Sequence, residues 1–327
     1  MTGLPLLFLR MLRYRVAAMV WMFMLIGAAA QGGLDRLGWD HFWAAAALAA
    51  GYVAATTVND VADREIDRVN HPNDRGRPLV TGDARERELY VLHGLAVALA
   101  LAAAVPLGQV GMLTVGVSLV VGWVYSLPPL LLSHRTAFAP GALGVAYVLV
   151  PYTLGVVVRG EPADRSDALL AVALFGLFLA RITLKDFRDR TGDALYGRRT
   201  LLLRYGKGAT CLVSLGALCA GDLLLLVFLR PAFVLFLVTQ GFILVVASRL
   251  HALWRAGDQR AEQIAIGIGA RAGNGLLLSV LAWLILSGQG ATGGESTGVL
   301  LTLAAAFALS LTVLLSRPEE AIIGYKG

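Results

Sequence analysis

Along most of this 327-residue chain the apolar positions neither alternate nor recur every third or fourth residue; they run together. Continuous apolar stretches lie near 14–31, 41–59, 89–106, 109–126, 138–158, 168–185, 209–229, 231–250, 264–287 and 297–316. Each is about long enough to carry a helix across the roughly 30 Å hydrocarbon layer of a bilayer. The pattern predicts an all-α bundle of ten transmembrane helices. Two intervening polar segments are long, about 59–88 and 186–208, and most others are short turns. In the first, Pro72, Gly76, Pro78 and Gly82 end the helix after Val69, and Asp83 with Glu86 reads as a capping pair for the third span.

The N-terminal run has a basic flank and Ala28-Ala29-Ala30 where a signal peptide would be cleaved. Its length from Val16, and the many spans that follow, favour an uncleaved first span.

Composition agrees with the pattern. Apolar residues make up 57% of the chain, mean hydropathy is +0.70 and only 15% of residues are charged, where a soluble domain carries about 25%. The reading is a single integral membrane domain over 1–327. The net charge of +6 is then a matter of loop distribution, with neither a nucleic acid nor a protein partner implied. With a cytoplasmic N-terminus, twenty-four basic residues fall inside and four (Arg36, Arg159, Arg165, Arg230) outside. That bias puts the N-terminus and both long polar segments in the cytoplasm, and the expected location is a bacterial inner membrane. Cys211 and Cys219 have no metal-ligand or disulfide pattern and read as small packing residues.

Candidate chemistry concentrates in the two long segments. "NDVADREIDRVN" carries Asp60, Asp63 and Asp67 at spacings of three and four, on one face of a helix. "KDFRDRTGD" repeats those spacings with Asp186, Asp189 and Asp193. Clustered carboxylates repel unless a cation sits among them. A hard, oxygen-seeking ion shared between carboxylates and substrate phosphates, Mg²⁺, suits such a site; two facing acidic helices have room for two or three. Arg64, Arg75 and Arg77 near the first triplet, and Arg181, Lys185 and Arg188 near the second, suit the phosphate itself. Arg181 and Lys185 stand four apart at the inner end of a span, where an unpartnered charge is costly. Binding anionic lipid headgroups is a rival use for the basic residues, but it needs no aspartates.

These residues resemble the UbiA superfamily of intramembrane prenyltransferases. "NDVADREID" is similar to its first motif, NDxxDxxxD, and "KDFRDRTGD" to its second. "RPLVTG" at 77–82, "GRRTLLLRYG" at 197–206 and "VYSLPPLLL" at 124–132 resemble further family segments, so the likeness spreads over residues 10 to about 285. The resemblance implies nine helices around a central cavity, capped by cytoplasmic loops and open laterally to an isoprenoid. It implies a metal-diphosphate role for Asp60, Asp63, Asp67, Asp186, Asp189 and Asp193, with Asn59 alongside. Lys185, Arg77 and Tyr125 stand where diphosphate-contacting groups are expected. Two departures stand out: the Pro-Pro turn is followed by Leu131-Leu132-Ser133-His134-Arg135, leaving Arg135 to replace the family's basic residues, and the run at 297–316 adds a tenth span, read as peripheral packing.

The implied reaction is Mg²⁺-dependent ionisation of an isoprenoid diphosphate, giving an allylic cation that must be kept from water. Aromatics such as Trp123, Tyr125, Tyr147 and Tyr152 offer π faces to it, although each taken alone reads as packing. Capture by an aromatic, quinone-precursor or lipid acceptor makes a prenyltransferase. Capture by the substrate's own double bonds makes a terpene cyclase, and the aspartates serve both. A lipid-phosphate transporter is the distant alternative, since transporters bind nearer the midplane. Arg13 and Arg15 could hold an acceptor carboxylate, but read first as positive-inside flanks. Asp222, within a span, reads as packed on a polar neighbour, and Lys207 as a solvated flank. Histidines 41, 71, 93, 134 and 251 show no ligand spacing; His71 and His134 are loop neighbours of the site.

Overall fold

The computed structural model describes residues 3–32, 34, 37–74, 76–229 and 232–317. Arg75 of the expected site, and Arg36, Arg230 and Lys326 of the charge count, lie outside them. The chain is an all-helical integral membrane protein. It opens with α1 (Leu4–Met11) and α2 (Tyr14–Ala29), then α3 (Trp39–Ala62), the short α4 (Arg64–Asn70) and α5 (Pro78–Thr81), α6 (Glu86–Ala104) and α7 (Gly108–Ser126). There follow α8 (Phe138–Gly144), α9 (Val150–Arg159), α10 (Arg165–Ile182), the polar α11 (Lys185–Leu195), α12 (Leu201–Leu229), α13 (Phe233–Arg255), α14 (Gln259–Gly288) and α15 (Gly293–Ser316).

By length and composition, eight helices among the described residues are able to cross a membrane, nine if α10 and α11, bent by 55°, count as one span. One of the eight is the 41-residue run Glu86–Ser126. Laid straight it would reach about 60 Å, twice the hydrocarbon layer. It folds back instead at Gly108, whose φ of +70° suits glycine. Trp123 Nε1 donates to His93 Nε2 at 3.1 Å, and His93 Nδ1 faces the Ala54 carbonyl at 2.9 Å. That chain of bonds clasps both arms of the hairpin to α3 and gives His93 a structural task.

The core has two halves. One gathers buried side chains of α1, α3, α6 and α7, the other those of α10, α12, α13 and α14, and α2 with α9 contribute to both. The central pair packs backbone to backbone: a Cβ on Gly27 would stand 2.3 Å from the Tyr152 carbonyl oxygen, and one on Gly155 only 2.0 Å from that of Met24. Small residues at such crossings let membrane helices gain contacts that lipid cannot supply. Between α8 and α9 the backbone takes one π turn, Val145–Leu149. Pro151 has no N–H for the Tyr147 carbonyl, and the wider turn absorbs the defect next to the cavity described below.

One detail departs from the expectations and two agree with them. The cap of α6 is Arg85 with Glu88, whose Oε2 accepts the Arg85 N–H at 2.8 Å, and Asp83 pairs with Arg10 at 2.9 Å instead of capping with Glu86. Asp222 accepts from Gln240 Nε2 at 2.9 Å, the polar neighbour its position called for. Of α15, which rests on α13 and α14, only Ser296, Leu300 and Leu314 are buried, in keeping with peripheral packing.

Candidate active site

The first aspartate triplet straddles a one-residue interruption. Helix α3 ends at Ala62 and α4 begins at Arg64, with Asp63 between them at φ −97°, ψ 7°. The helical bonds carry on across it, from Asp63 N to Asn59 O and from Asp67 N to Asp63 O, both 2.8 Å. The carboxylates therefore keep nearly the common face that their spacing predicts. The second triplet lies wholly on α11. Helices α4 and α11 touch: Gly192 N donates to Asn70 Oδ1 at 2.7 Å, and a Cβ on Gly192 would meet the Asn70 amide at 2.7 Å. His71 Nε2 meets Asp189 Oδ1 at 2.9 Å across the same seam.

The structure thus brings the two triplets together. Arg198 bonds to Asp63 of the first and, at 3.4 Å, to Asp193 of the second. The protein supplies several cations of its own to these carboxylates. Arg13 bonds to both oxygens of Asp60 at 2.7 and 2.9 Å, and Arg77 bonds to Asp67 and reaches Asp60 at 3.5 Å. Asp189 accepts from Arg188 Nε at 3.0 Å. Among the described residues no three His, Cys, Asp or Glu side chains stand where they could hold one metal ion together.

Asp60, Asp63, Asp67, Asp186 and Asp193 are all buried. Burial, reinforced by Asp193 and Asp189 and opposed by Lys185, pushes Asp186 up to about 6. Burial also pushes Asp193 up to about 6, with Asp189 adding to it and Arg198 opposing. For Asp189 burial acts in the same sense, yet Arg188 and His71 outweigh it and hold the carboxyl well below the usual range. Burial and the neighbouring Arg13 bring Arg77 down to about 10, still cationic at neutral pH.

Asp63, Asp67 and Asp189 line a cavity of about 360 Å³, while Asp60, Asp186 and Asp193 stand behind its wall. Asn59, Arg77, Tyr125, Arg181 and Lys185 line it, as expected. Asn59 Nδ2 donates to Asp63 at 2.8 Å, and Lys185 Nζ donates to the Tyr125 hydroxyl at 2.8 Å. Tyr52, Tyr147 and Phe178 form the aromatic part of the wall, their ring centres 5.8 and 6.0 Å apart in sequence.

Several expectations fail in the tertiary structure. Arg64 faces outward to Glu86 at 4.0 Å, and Arg135 folds onto the Leu130 carbonyl at 2.7 Å; neither lines the cavity. Tyr152 gives its hydroxyl to Asp167, and Trp123 borders a separate surface hollow, so neither ring faces the cavity. Lys207 is no solvated flank, since its ammonium holds buried Glu262 at 2.8 Å and the Ala256 carbonyl at 2.6 Å. Arg13, read first as a flank, belongs to the site. Arg198 also lines the cavity; its one sequence signal is its place in the "GRRTLLLRYG" segment.

A sequence profile of the UbiA prenyltransferase family matches residues 19–268. The chain belongs to this family. Among its UbiA relatives is the bacteriochlorophyll synthase 33 kDa chain of Rhodobacter capsulatus, 30% identical over 45% of this chain and 49% of that protein. The homogentisate phytyltransferase of Synechocystis is 34% identical over 50% and 54%, respectively. The chain thus spans about half the length of these curated relatives. In fold it is similar to digeranylgeranylglyceryl phosphate synthase at a TM-score of 0.65, 15% identity, 87% of this chain and 99% of the other. It is also similar to an Archaeoglobus fulgidus UbiA homologue bound to GPP and Mg²⁺, at a TM-score of 0.53, 18% identity, 97% of this chain and 99% of the other. In this UbiA-family chain Arg198 joins the two acidic motifs directly.

Proposed function

We propose that the protein transfers a prenyl group from an isoprenoid diphosphate to an aromatic, quinone-precursor or lipid acceptor within the membrane. The observation that carries this reading is the joining of the two aspartate triplets by Arg198 beside one aromatic-walled cavity, which Asp63 and Asp67 of the first and Asp189 of the second line. Relatives named as a phytyltransferase and as synthases support transfer, and an A. fulgidus homologue bound to GPP and Mg²⁺ supports the diphosphate and the metal. At the opposite end of the bundle the buried pair Arg159–Asp167 stands 2.8 Å apart, with Tyr152 and Gln31 bonded to the same carboxylate. The gathering of both triplets at one end of the bundle, away from the midplane where a transporter binds, favours an enzyme. The basic residues of the two long segments favour a cytoplasmic site in a bacterial inner membrane.

The donor set fits Mg²⁺: six carboxylates, hard oxygen ligands, two of them pushed up to about 6 by burial and by their carboxylate neighbours. Asp60, Asp63 and Asp67 on one side and Asp186, Asp189 and Asp193 on the other would hold two or three ions. Bound there, the ions would neutralise charge on the departing diphosphate. Lys185, Arg77 and Arg198 face the cavity and would bind phosphate oxygens. Tyr52, Tyr147 and Phe178 would exclude water from the cleaved carbon and turn π faces toward its positive charge. An acceptor then forms the new bond to that carbon and loses its proton.

Purified protein given Mg²⁺, isoprenoid diphosphates of graded length and candidate acceptors should release diphosphate and yield a product of acceptor plus prenyl mass. A cyclic hydrocarbon formed without acceptor would assign it as a cyclase. Undiminished turnover in excess chelator would reject the metal.

The raised carboxyls set a pH dependence. Asp186 and Asp193 carry protons below about 6 in the empty protein, and an incoming cation must displace them. Mg²⁺ affinity should therefore rise with pH through 6 and level off above about 7, falling roughly tenfold per carboxylate for each pH unit below that range. Titration calorimetry in buffers of different ionisation heat should record proton release at pH 5.5 and little at pH 8. A flat profile would show that neither carboxylate binds metal.

A further inference from the structure

The two aspartate triplets match in spacing but not in what holds them. Asp60 takes both its bonds from one guanidinium nitrogen of Arg13, Asp67 is bonded to one of Arg77 and Asp63 to one of Arg198, so each carboxylate of the first triplet has an arginine. In the second, Asp189 has Arg188, and Asp193 has only the far end of Arg198 at 3.4 Å. Asp186 is satisfied by the backbone N–H of Leu201, and the ammonium of neighbouring Lys185 turns away to Tyr125.

Arg13 reaches Asp60 from the break between α1 and α2, where its backbone adopts φ 44°, ψ 65°. A left-handed conformation is unfavourable for a side chain of this size and persists where surroundings over-determine it. Here the bonds to Asp60 and a further one to the Gly76 carbonyl at 3.4 Å do so. Arg198 spans from one triplet to the other and is itself largely buried.

A guanidinium stays charged at any ordinary pH, and its planar fork fits a carboxylate or a phosphate equally well. A metal ion approaching Asp60 or Asp63 meets an arginine already in place, and two cations on one carboxylate repel. Moving the arginine away with no anion to receive it would strand a buried charge. A diphosphate in the cavity offers that anion, because Arg13, Arg77 and Arg198 all line it.

We propose that Arg13 and Arg198 are exchangeable counter-ions, bound to the first aspartate triplet when the site is empty and to the substrate diphosphate when it is filled. The first triplet then admits metal only together with diphosphate, while the second admits it alone. This rests on the prenyl-diphosphate reading and adds an order of loading and two phosphate-binding residues to it. Coupling of this kind is reciprocal, so metal must tighten diphosphate binding by the factor that diphosphate tightens metal binding.

The test uses the full-length protein in detergent, Mn²⁺ as the metal probe read by electron paramagnetic resonance, and inorganic pyrophosphate as the anion. Without pyrophosphate, Mn²⁺ should fill only the sites that Asp186→Asn abolishes. With it, additional Mn²⁺ should bind, and saturating Mn²⁺ should tighten pyrophosphate roughly tenfold or more, within the usual span of coupling energies. Arg198→Gln should gain Mn²⁺ binding in the absence of pyrophosphate and lose part of the coupling. Mn²⁺ stoichiometry and affinity that ignore pyrophosphate in the wild type would overturn the exchange and leave prenyl transfer standing. Pyrophosphate that fails to bind at any Mn²⁺ concentration would overturn both. Asp186→Asn keeps the test decisive if Arg198→Gln does not fold, since loss of every pyrophosphate-independent site supports the asymmetry and retention of those sites refutes it.

Discussion

Asp186→Ala should lower turnover by two to three orders of magnitude and leave the fold almost untouched, whereas Asp60→Ala should lose both activity and stability. The activity loss follows from removing a carboxylate proposed to hold metal, and with it stabilisation of the leaving diphosphate, an effect that typically costs about 10²–10³ in rate for a single group. The stability difference follows from the partners. Among the described residues no arginine is in an ion pair with Asp186, and burial raises its carboxyl to about 6. A raised carboxyl opposes folding increasingly as pH climbs past its unfolded value, and the full penalty is reached above about 6. Alanine at 186 removes that penalty. Alanine at 60 strands Arg13, bonded to both carboxylate oxygens at 2.7 and 2.9 Å, and takes one partner from Arg77. Breaking a buried ion pair in this way costs about 3–5 kcal/mol. Like-charge repulsion in the first triplet alone would have led one to expect Asp60→Ala to relieve strain; its arginines reverse that expectation. Thermal unfolding in detergent and a diphosphate-release assay on the same preparations check both halves. A correctly inserted Asp60→Ala protein with near-normal turnover would remove the first triplet from the site.

Lys185→Met should weaken diphosphate binding roughly ten- to a hundredfold while changing Mg²⁺ binding little. The Lys185 ammonium lines the cavity and is bonded to the Tyr125 hydroxyl at 2.8 Å, over whose ring it also sits at 5.5 Å. It is thus fixed in place before any phosphate arrives, and a hydrogen bond to a charged group contributes about 1.5–3 kcal/mol. The comparison residue must be a cation without structural duty. Lys207 fails that requirement because it shares buried Glu262 with Arg190, 2.8 and 2.9 Å away, and ties α12 and α11 to α14. Lys207→Met should therefore reduce stability by about 1–3 kcal/mol, the usual cost of leaving a buried group short of a partner. Arg204, stacked on Tyr205 at 5.2 Å, is the better control. Pyrophosphate inhibition constants at saturating Mg²⁺ should separate Lys185→Met from Arg204→Met by an order of magnitude or more. Equal and small effects would leave the arginines as the sole phosphate ligands.

What the sequence determined by itself was everything set by local periodicity. Uninterrupted apolar runs dictate membrane helices because a bilayer leaves backbone groups no partner outside their own helix. The three-and-four spacing dictates a shared carboxylate face, and the helical bonds at Asp63 and Asp67 preserve it even through a break in the helix. The two triplets, Lys185, Arg77 and Asn59 were legible on these grounds together with the family motifs. Only the tertiary structure decided which cation meets which carboxylate. Arg13 reaches Asp60 across 47 residues and Arg198 reaches Asp63 across 135, separations at which no periodicity carries information. Arg64 and Arg135 lie as near the motifs in sequence as Arg77 or Lys185, yet both turn away from the cavity. A charged side chain on a loop goes wherever the packed helices leave it a desolvated partner, and that geometry exists only once the two halves of the bundle have closed around α2 and α9.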